Sequence, residues 1–196
     1  MPALLNGLRS PRWPIREACV RALGDNRLAE SEAPLLAALA NDKDYRVRWW
    51  AVEALDRYKG PRVIRALMRA LDDPTPAVQL TAAKRLGIRA AQMSRPQARR
   101  VESLLEARFR EYGDGSRRPD AAYGWQVVGR ALLSFGDSAR AALEKMRSQR
   151  QDRWLAWAAY QVLYVPQSNR VMLCDEKEAV QTHERFAPPF PGRRRW

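Results

Sequence analysis

Three stretches of this chain can be laid on one another, Ile15 to Gly24, Val47 to Asp56 and Val78 to Gly87, at spacings of 32 and then 31 residues. A fixed period of about 20 to 50 residues marks a stacked array, because each unit carries an apolar face that only its neighbour can cover. An apolar helical segment precedes the first two stretches, with Leu4, Leu5 and Leu8 in one case and Leu35, Leu36 and Leu39 in the other. Each unit is therefore a helical hairpin.

The punctuation agrees. Asp42-Lys43-Asp44-Tyr45 divides the helices of the second unit and Asp73-Pro74-Thr75-Pro76 those of the third; Asp caps a helix start and Pro is tolerated in its first turn. Gly24, Gly60 and Gly87 stand where second helices should stop, in the left-handed conformation that glycine adopts easily. Further along, the pattern predicts helices over Pro96 to Tyr112, Trp125 to Phe135, Ser138 to Met146 and Trp154 to Tyr164, with Gly113-Asp114-Gly115-Ser116 as a loop. Five hairpins then fill residues 3–165. Residues 166–196 form a C-terminal extension, with a short helix over Asp175 to Arg185 followed by a Pro-rich, Arg-rich tail that reads as extended.

The spacer D-x-x-P-x-V-R followed by an A-x-x-x-L-G helix resembles HEAT-like repeats, in particular the short bacterial type also seen in phycobilin-lyase-related proteins. Asp42 to Arg48 fits that spacer with Tyr45 in place of Pro, and Asp73 to Gln79 fits it with Gln in place of Arg; the first unit has Ser10 where Asp is expected. The resemblance implies an all-α fold, a right-handed α-solenoid (superhelix) of about five HEAT-like hairpins, with second helices lining its concave surface. It also implies that Arg16 and Arg48, each following the branched residue of the spacer, pair with the Asp of an adjacent repeat to form a ladder. It says nothing about chemistry, which resides in sites and not in folds.

Composition narrows the function classes. Two cysteines, Cys19 and Cys174, and one histidine, His183, cannot build a disulfide scaffold or a histidine-based metal cluster. Cys19 takes a core position, and no Ser or Cys has a histidine partner within the repeats. No glycine-rich phosphate loop precedes a helix with a suitable Lys. The chain therefore reads as a protein without catalytic residues, cofactor, metal or small-molecule substrate. The longest uncharged stretch, Trp154 to Asn169, is 16 residues, short of the roughly 20 needed to span a bilayer. With no signal peptide evident, the expected location is cytoplasmic, with no membrane association.

The candidate binding surface comes from helical geometry. At 100° per residue, with the buried face centred on Ala51, Trp49 and Glu53 point away from the core. The row equivalent to Trp49 reads Glu17, Trp49, Leu80, Val127 and Trp157. An outward row should be polar, yet four of its five residues are large and apolar. This row, with Trp50, Glu53 and Trp154 beside it, is the expected groove for a protein or peptide segment, since aromatic anchors carry much of the binding energy at such surfaces. Two other readings make the row ordinary core under a tightly curled stack, or fill the groove with Phe190 and Trp196 of the chain's own tail. The first helix of the array is short and lacks a polar cap, so the N-terminal end is expected to dock on another chain.

Charge supplies an alternative. The formal charge is +13, with 30 Arg and 5 Lys among the cations, and the excess lies beyond residue 60. Arg62, Arg65 and Arg69 read as a solvated stripe on the convex side; Arg95, Arg99, Arg100, Arg108 and Arg110 form a second cluster, with Glu102 and Glu106 spaced for local ion pairs. Arg117, Arg118, Arg193, Arg194 and Arg195 are the cations freest to reach phosphate or an acidic partner, so nucleic acid is the alternative partner. HEAT-like DNA glycosylases share aromatics and a carboxylate on a basic concave face. Here Glu53 and Asp152 lie near Trp49 and Trp157, but the arrangement does not match that family residue by residue.

Overall fold

The computed structural model describes residues 1–113, 124–149 and 151–165, and all regular elements among them are helical. In chain order they are α1 (Pro2–Gly7), α2 (Trp13–Asn26), α3 (Glu32–Asn41), α4 (Tyr45–Leu55), α5 (Pro61–Ala70), α6 (Pro76–Ile88), α7 (Arg95–Gly113), α8 (Gly124–Leu133), α9 (Asp137–Arg147) and α10 (Arg153–Tyr164). Single 3-10 turns follow α2 and α6, at Ala29–Ser31 and Ala90–Gln92. The helices pair as five hairpins, and α2, α4, α6, α8 and α10 pack on one another in that order. The array is the expected repeat fold, and α7 to α10 begin and end within two residues of the sequence expectation. Asp175 to Arg185, the tail with Phe190 and Trp196, Cys174, His183, Arg117, Arg118 and Arg193 to Arg195 lie outside the described residues.

Local chemistry sets the helix starts. Asp44 caps α4 by accepting the backbone N–H of Arg46 at 3.0 Å, and Asp152 caps α10 through the N–H of Leu155 at 2.9 Å. Pro61 and Pro76 stand in the first turns of α5 and α6, where the missing N–H would have no intrahelical partner in any case. Burial then follows the helical period: α5 turns Val63, Ile64 and Leu67 inward and leaves Arg62, Arg65 and Arg69 exposed. Each such aliphatic side chain contributes about 1.5–3 kcal/mol when fully buried. Val47 and Val78 are completely buried, whereas Ile15 in the same register of the first hairpin is 40% exposed.

The ladder implied by the repeat resemblance is present. Arg16 holds Asp42 through two bonds of 2.7 and 2.8 Å, and Arg48 holds Asp73 through two of 2.7 and 3.0 Å. The same guanidiniums reach back to carbonyls of their own inter-helix turns, Ser10 and Pro11 for Arg16, Asp42 and Lys43 for Arg48. All four side chains of the two rungs are 7 to 11% exposed, so each charge is desolvated and compensated together. At the third position Gln79 donates to the Asp73 carbonyl at 2.5 Å and accepts the Tyr112 hydroxyl at 2.6 Å. The rung persists with no charge in it.

Two expectations need correction. Gly24 and Gly87 do not end their helices: α2 runs on to Asn26 and stops at Arg27, which itself takes a left-handed φ of 50°, and α6 runs on to Ile88. Their role is close approach. A Cβ on Gly24 would stand 2.6 Å from Ala54 Cβ, and one on Gly87 would stand 2.6 Å from Ala131 Cα. Gly60 does have a positive φ, 137°, but it opens α5 and does not close α4. The second correction concerns α7. Glu102 and Glu106 pair with neither Arg99 nor Arg110; the ion pairs of α7 among the described residues run from Arg108 to Asp72 and Glu111. Glu106 is half-buried, and this burial, followed by the nearby Glu102, pushes its carboxyl above the usual range.

Candidate functional site

The five second helices form one layer, and the row beginning at Glu17 runs across it. Glu17, Trp49, Leu80, Val127 and Trp157 are all half-buried, neither sealed in the stack nor standing free. The reason is that α4 packs between α2 and α6. Trp49 touches the core on one edge and donates its indole N–H to Thr81 Oγ1 on α6 at 2.8 Å, while that hydroxyl donates to the Ala77 carbonyl.

Around Trp49 the structure assembles a small aromatic site. Trp50 meets it edge-on at 4.8 Å, and the Arg21 guanidinium stacks 4.4 Å above the Trp50 ring. Arg46 lies 3.4 Å above the ring of Trp13 and 5.5 Å from that of Tyr45. Glu17, Tyr45, Arg46, Trp49, Trp50 and Ala77 line a pocket of about 300 Å³ between α2, α4 and α6. Arg46 bonds both oxygens of Asp44, at 3.0 and 2.8 Å, and these bonds hold the Asp44 carboxyl well down, at about 2. The pocket's main cation is thereby neutralised, and its wall is chiefly indole and phenol.

A second aromatic group sits at the other end of the layer. Trp157 packs against Trp125 of α8 at 5.2 Å, and Trp154 stands 6.0 Å from Trp157, 39% exposed. Leu80 on α6 and Val127 on α8 lie in the row between the two groups. The structure thus brings Trp49 and Trp50 together, and Trp154 and Trp157 together, but leaves the two pairs apart. Glu53 stands outside both: its carboxylate is engaged by Arg85, which also bonds Asp56 at 2.8 Å, and Asp56 in turn accepts from Arg89 at 3.2 Å. Arg89 itself is 4% exposed and donates to the carbonyls of Leu55, Asp56 and Tyr58, satisfying the open end of α4.

Tyr45 and Arg46 of the pocket were not among the expected contacts. Their one sequence signal was Tyr45 standing where the repeat spacer has Pro. Trp125 was legible as a helix residue but not as the neighbour of Trp157, because the two are 32 positions apart and on different helices.

The profile of HEAT repeats matches residues 1–87 and 34–124. The chain belongs to the HEAT repeat family. A search of curated proteins finds no match. Among solved structures, this HEAT array is similar to one from the complex of CpcE and CpcF of phycocyanin lyase from Nostoc sp. PCC7120. The two are 21% identical with a TM-score of 0.59, over 84% of this chain and 64% of that one. The chain therefore spans less than two thirds of the length of that relative, and the likeness is one of fold. No helix among the described residues is long and apolar enough to cross a membrane.

Proposed function

We propose that this HEAT array is a non-catalytic binding module that takes a protein or peptide segment onto the surface of its second helices, in the cytoplasm. One observation carries the reading: four of the five residues in a row expected to be polar are large and apolar, all are half-buried, and the row opens at Trp49 into a largely aromatic pocket of about 300 Å³. A cleft of that size accepts one side chain of a partner, and indole and phenol walls give large contact area at low entropic cost. Trp154 and Trp157 supply a second contact further along, so an extended segment is read at two points. That the similar lyase structure is itself a complex of two proteins supports a protein partner.

The test separates binding from packing. Tyr45 and Trp154 are 44% and 39% exposed, so Tyr45→Ala with Trp154→Ala should lower the melting temperature less than truncation of Trp49 and Trp157, which pack against the core. Affinity capture from the native cell, with nuclease present, should lose its protein partner in this double variant. Retained capture would refute the groove. Trp49→Ala with Trp157→Ala should abolish capture too, but the core contacts of both rings mean that this pair lowers the melting temperature as well.

A further inference from the structure

The outer surface tells a different story from the inner one. Five arginines of the inner layer, Arg16, Arg48, Arg57, Arg85 and Arg89, each hold a carboxylate. On the outer helices, Arg62, Arg65 and Arg69 of α5 and Arg95, Arg99 and Arg100 of α7 are all exposed, and none of them has an acidic partner among the described residues. Of the acids nearby in sequence, Asp72 is taken by Arg108, and Glu102 and Glu106 are half-buried.

The two rows stand on successive outer helices. Arg108 of α7 bonds Asp72, two residues past the end of α5, which ties the two outer helices together at that level. First helices of successive hairpins run parallel, so counting back at about 1.5 Å per residue puts Arg62 level with residue 98, between Arg95 and Arg99. Arg62 to Arg69 covers about 10 Å along α5, and α7 adds a second row on the next outer helix. This arrangement works against folding. Arg62 with Arg65 and Arg65 with Arg69 are like charges at three and four residues, as are Arg95 and Arg99, and neither helix has an acid in its first turn. A surface that opposes its own helices and is not neutralised from within calls for an external anion.

We infer that the α5–α7 face binds the sugar-phosphate backbone of a nucleic-acid duplex, without reading its sequence. Duplex DNA carries one phosphate charge per about 1.7 Å of axis, an anion dense enough to meet both rows, and the forked geometry of Arg suits phosphate oxygens. The face carries no exposed large apolar or aromatic side chain; those of the described residues lie elsewhere, at Leu5, Ile15, Leu28, Tyr45, Ile88 and on α10. Base stacking, which single strands require, and membrane insertion both need such groups. This surface is separate from the aromatic pocket, and either assignment can fail without the other.

The experiment is fluorescence anisotropy of a mixed-sequence DNA duplex of about 20 base pairs with the full chain, titrated across salt. Arg62→Gln/Arg65→Gln/Arg69→Gln should weaken binding at least about tenfold near 0.1 M salt and flatten the log–log salt slope by about 2.7, three contacts at about 0.9 each. The same change of charge placed at Arg9, Arg12 and Arg27 should weaken it less than about twofold, and the Lys triple at 62, 65 and 69 should keep most of the affinity. Thermal melting of the Gln triple should hold steady, because only repulsion is removed. Equal losses in the two Gln triples, no duplex binding by the natural sequence at low salt, or preferential capture of poly-glutamate, anionic vesicles or single strands would each overturn the assignment.

Discussion

The first three hairpins and the last two share one architecture and are joined by different chemistry. Between the first and second hairpins, and again between the second and third, a buried Arg grips the Asp of the next repeat with two bonds. Beyond the third, Gln79 and Tyr112 take over that position, and the fourth and fifth hairpins are held by Phe109, Trp125, Leu143, Leu155 and their neighbours. The repeat therefore specifies a position for a polar link, not a charge. What the position needs is a donor that satisfies the turn carbonyls below it and meets a group on the next hairpin. Arg with Asp does this by desolvating two ions, Gln with Tyr by pairing two neutral groups.

The sharpest way to break the comparison is to remove one half of a charged rung. Arg48→Ala strands the Asp73 carboxylate, whose side chain is 7% exposed, and should cost about 3–5 kcal/mol by denaturant titration. Replacing both Arg48 and Asp73 with apolar residues of similar size should cost much less, because no charge is left stranded. The neutral rung should be more forgiving: Tyr112→Phe leaves the Gln79 amide oxygen without this donor and should cost about 1–2 kcal/mol. A cost as large as that of Arg48→Ala would show that the two links are not distinguished by charge.

Acid offers the gentlest probe, since it needs no mutation. Burial raises the Asp42 carboxyl, but the Arg16 bond and the backbone N–H of Asp44 outweigh it and hold the group below its ordinary value. Asp44 sits at about 2 for the reason given above. Groups held low in the folded state stabilise it fully above their unfolded values near 4, and that contribution is lost as pH falls through the folded values. Glu106 behaves oppositely: held high, it favours the folded state more as pH falls through its raised value. Hydrogen exchange between about pH 4 and pH 2 should therefore show amides of α2 and α4 losing protection before those of α8. Simultaneous loss along the whole stack would mean that the rungs do not set local stability.

Much of the fold was legible because stacking repeats a local pattern. Ile15, Val47 and Val78 announce the period, and Asp44 and Pro76 announce helix starts through chemistry that acts within a few residues. The ladder followed from the family resemblance. What stayed hidden was partnership between helices. Glu102 and Glu106 are spaced for pairing along α7, but tertiary burial turned them inward, and Arg108 found Asp72 across the stack. Gly24 and Gly87 look like terminators because glycine serves both open turns and tight contacts, and a sequence alone does not say which. In the site, periodicity placed Trp49 and Trp157 on a row that the structure leaves half-buried. It did not reveal Tyr45 and Arg46, whose importance comes from Trp13 and Glu17 on another helix.

Those glycine contacts have a geometric consequence. Gly24 lies against Ala54, Gly87 against Ala131 and Gly129 against Val162, each between consecutive second helices, while α3, α5 and α9 contain no glycine at all. Inner helices can approach one another more closely than outer ones, so each hairpin is a wedge, narrow on the side of the aromatic row. Stacked wedges make an arch. Its bend is written in the missing side chains of three residues, and filling any one of them would pry the arch open and flatten the cradle in which Trp49 and Trp157 stand.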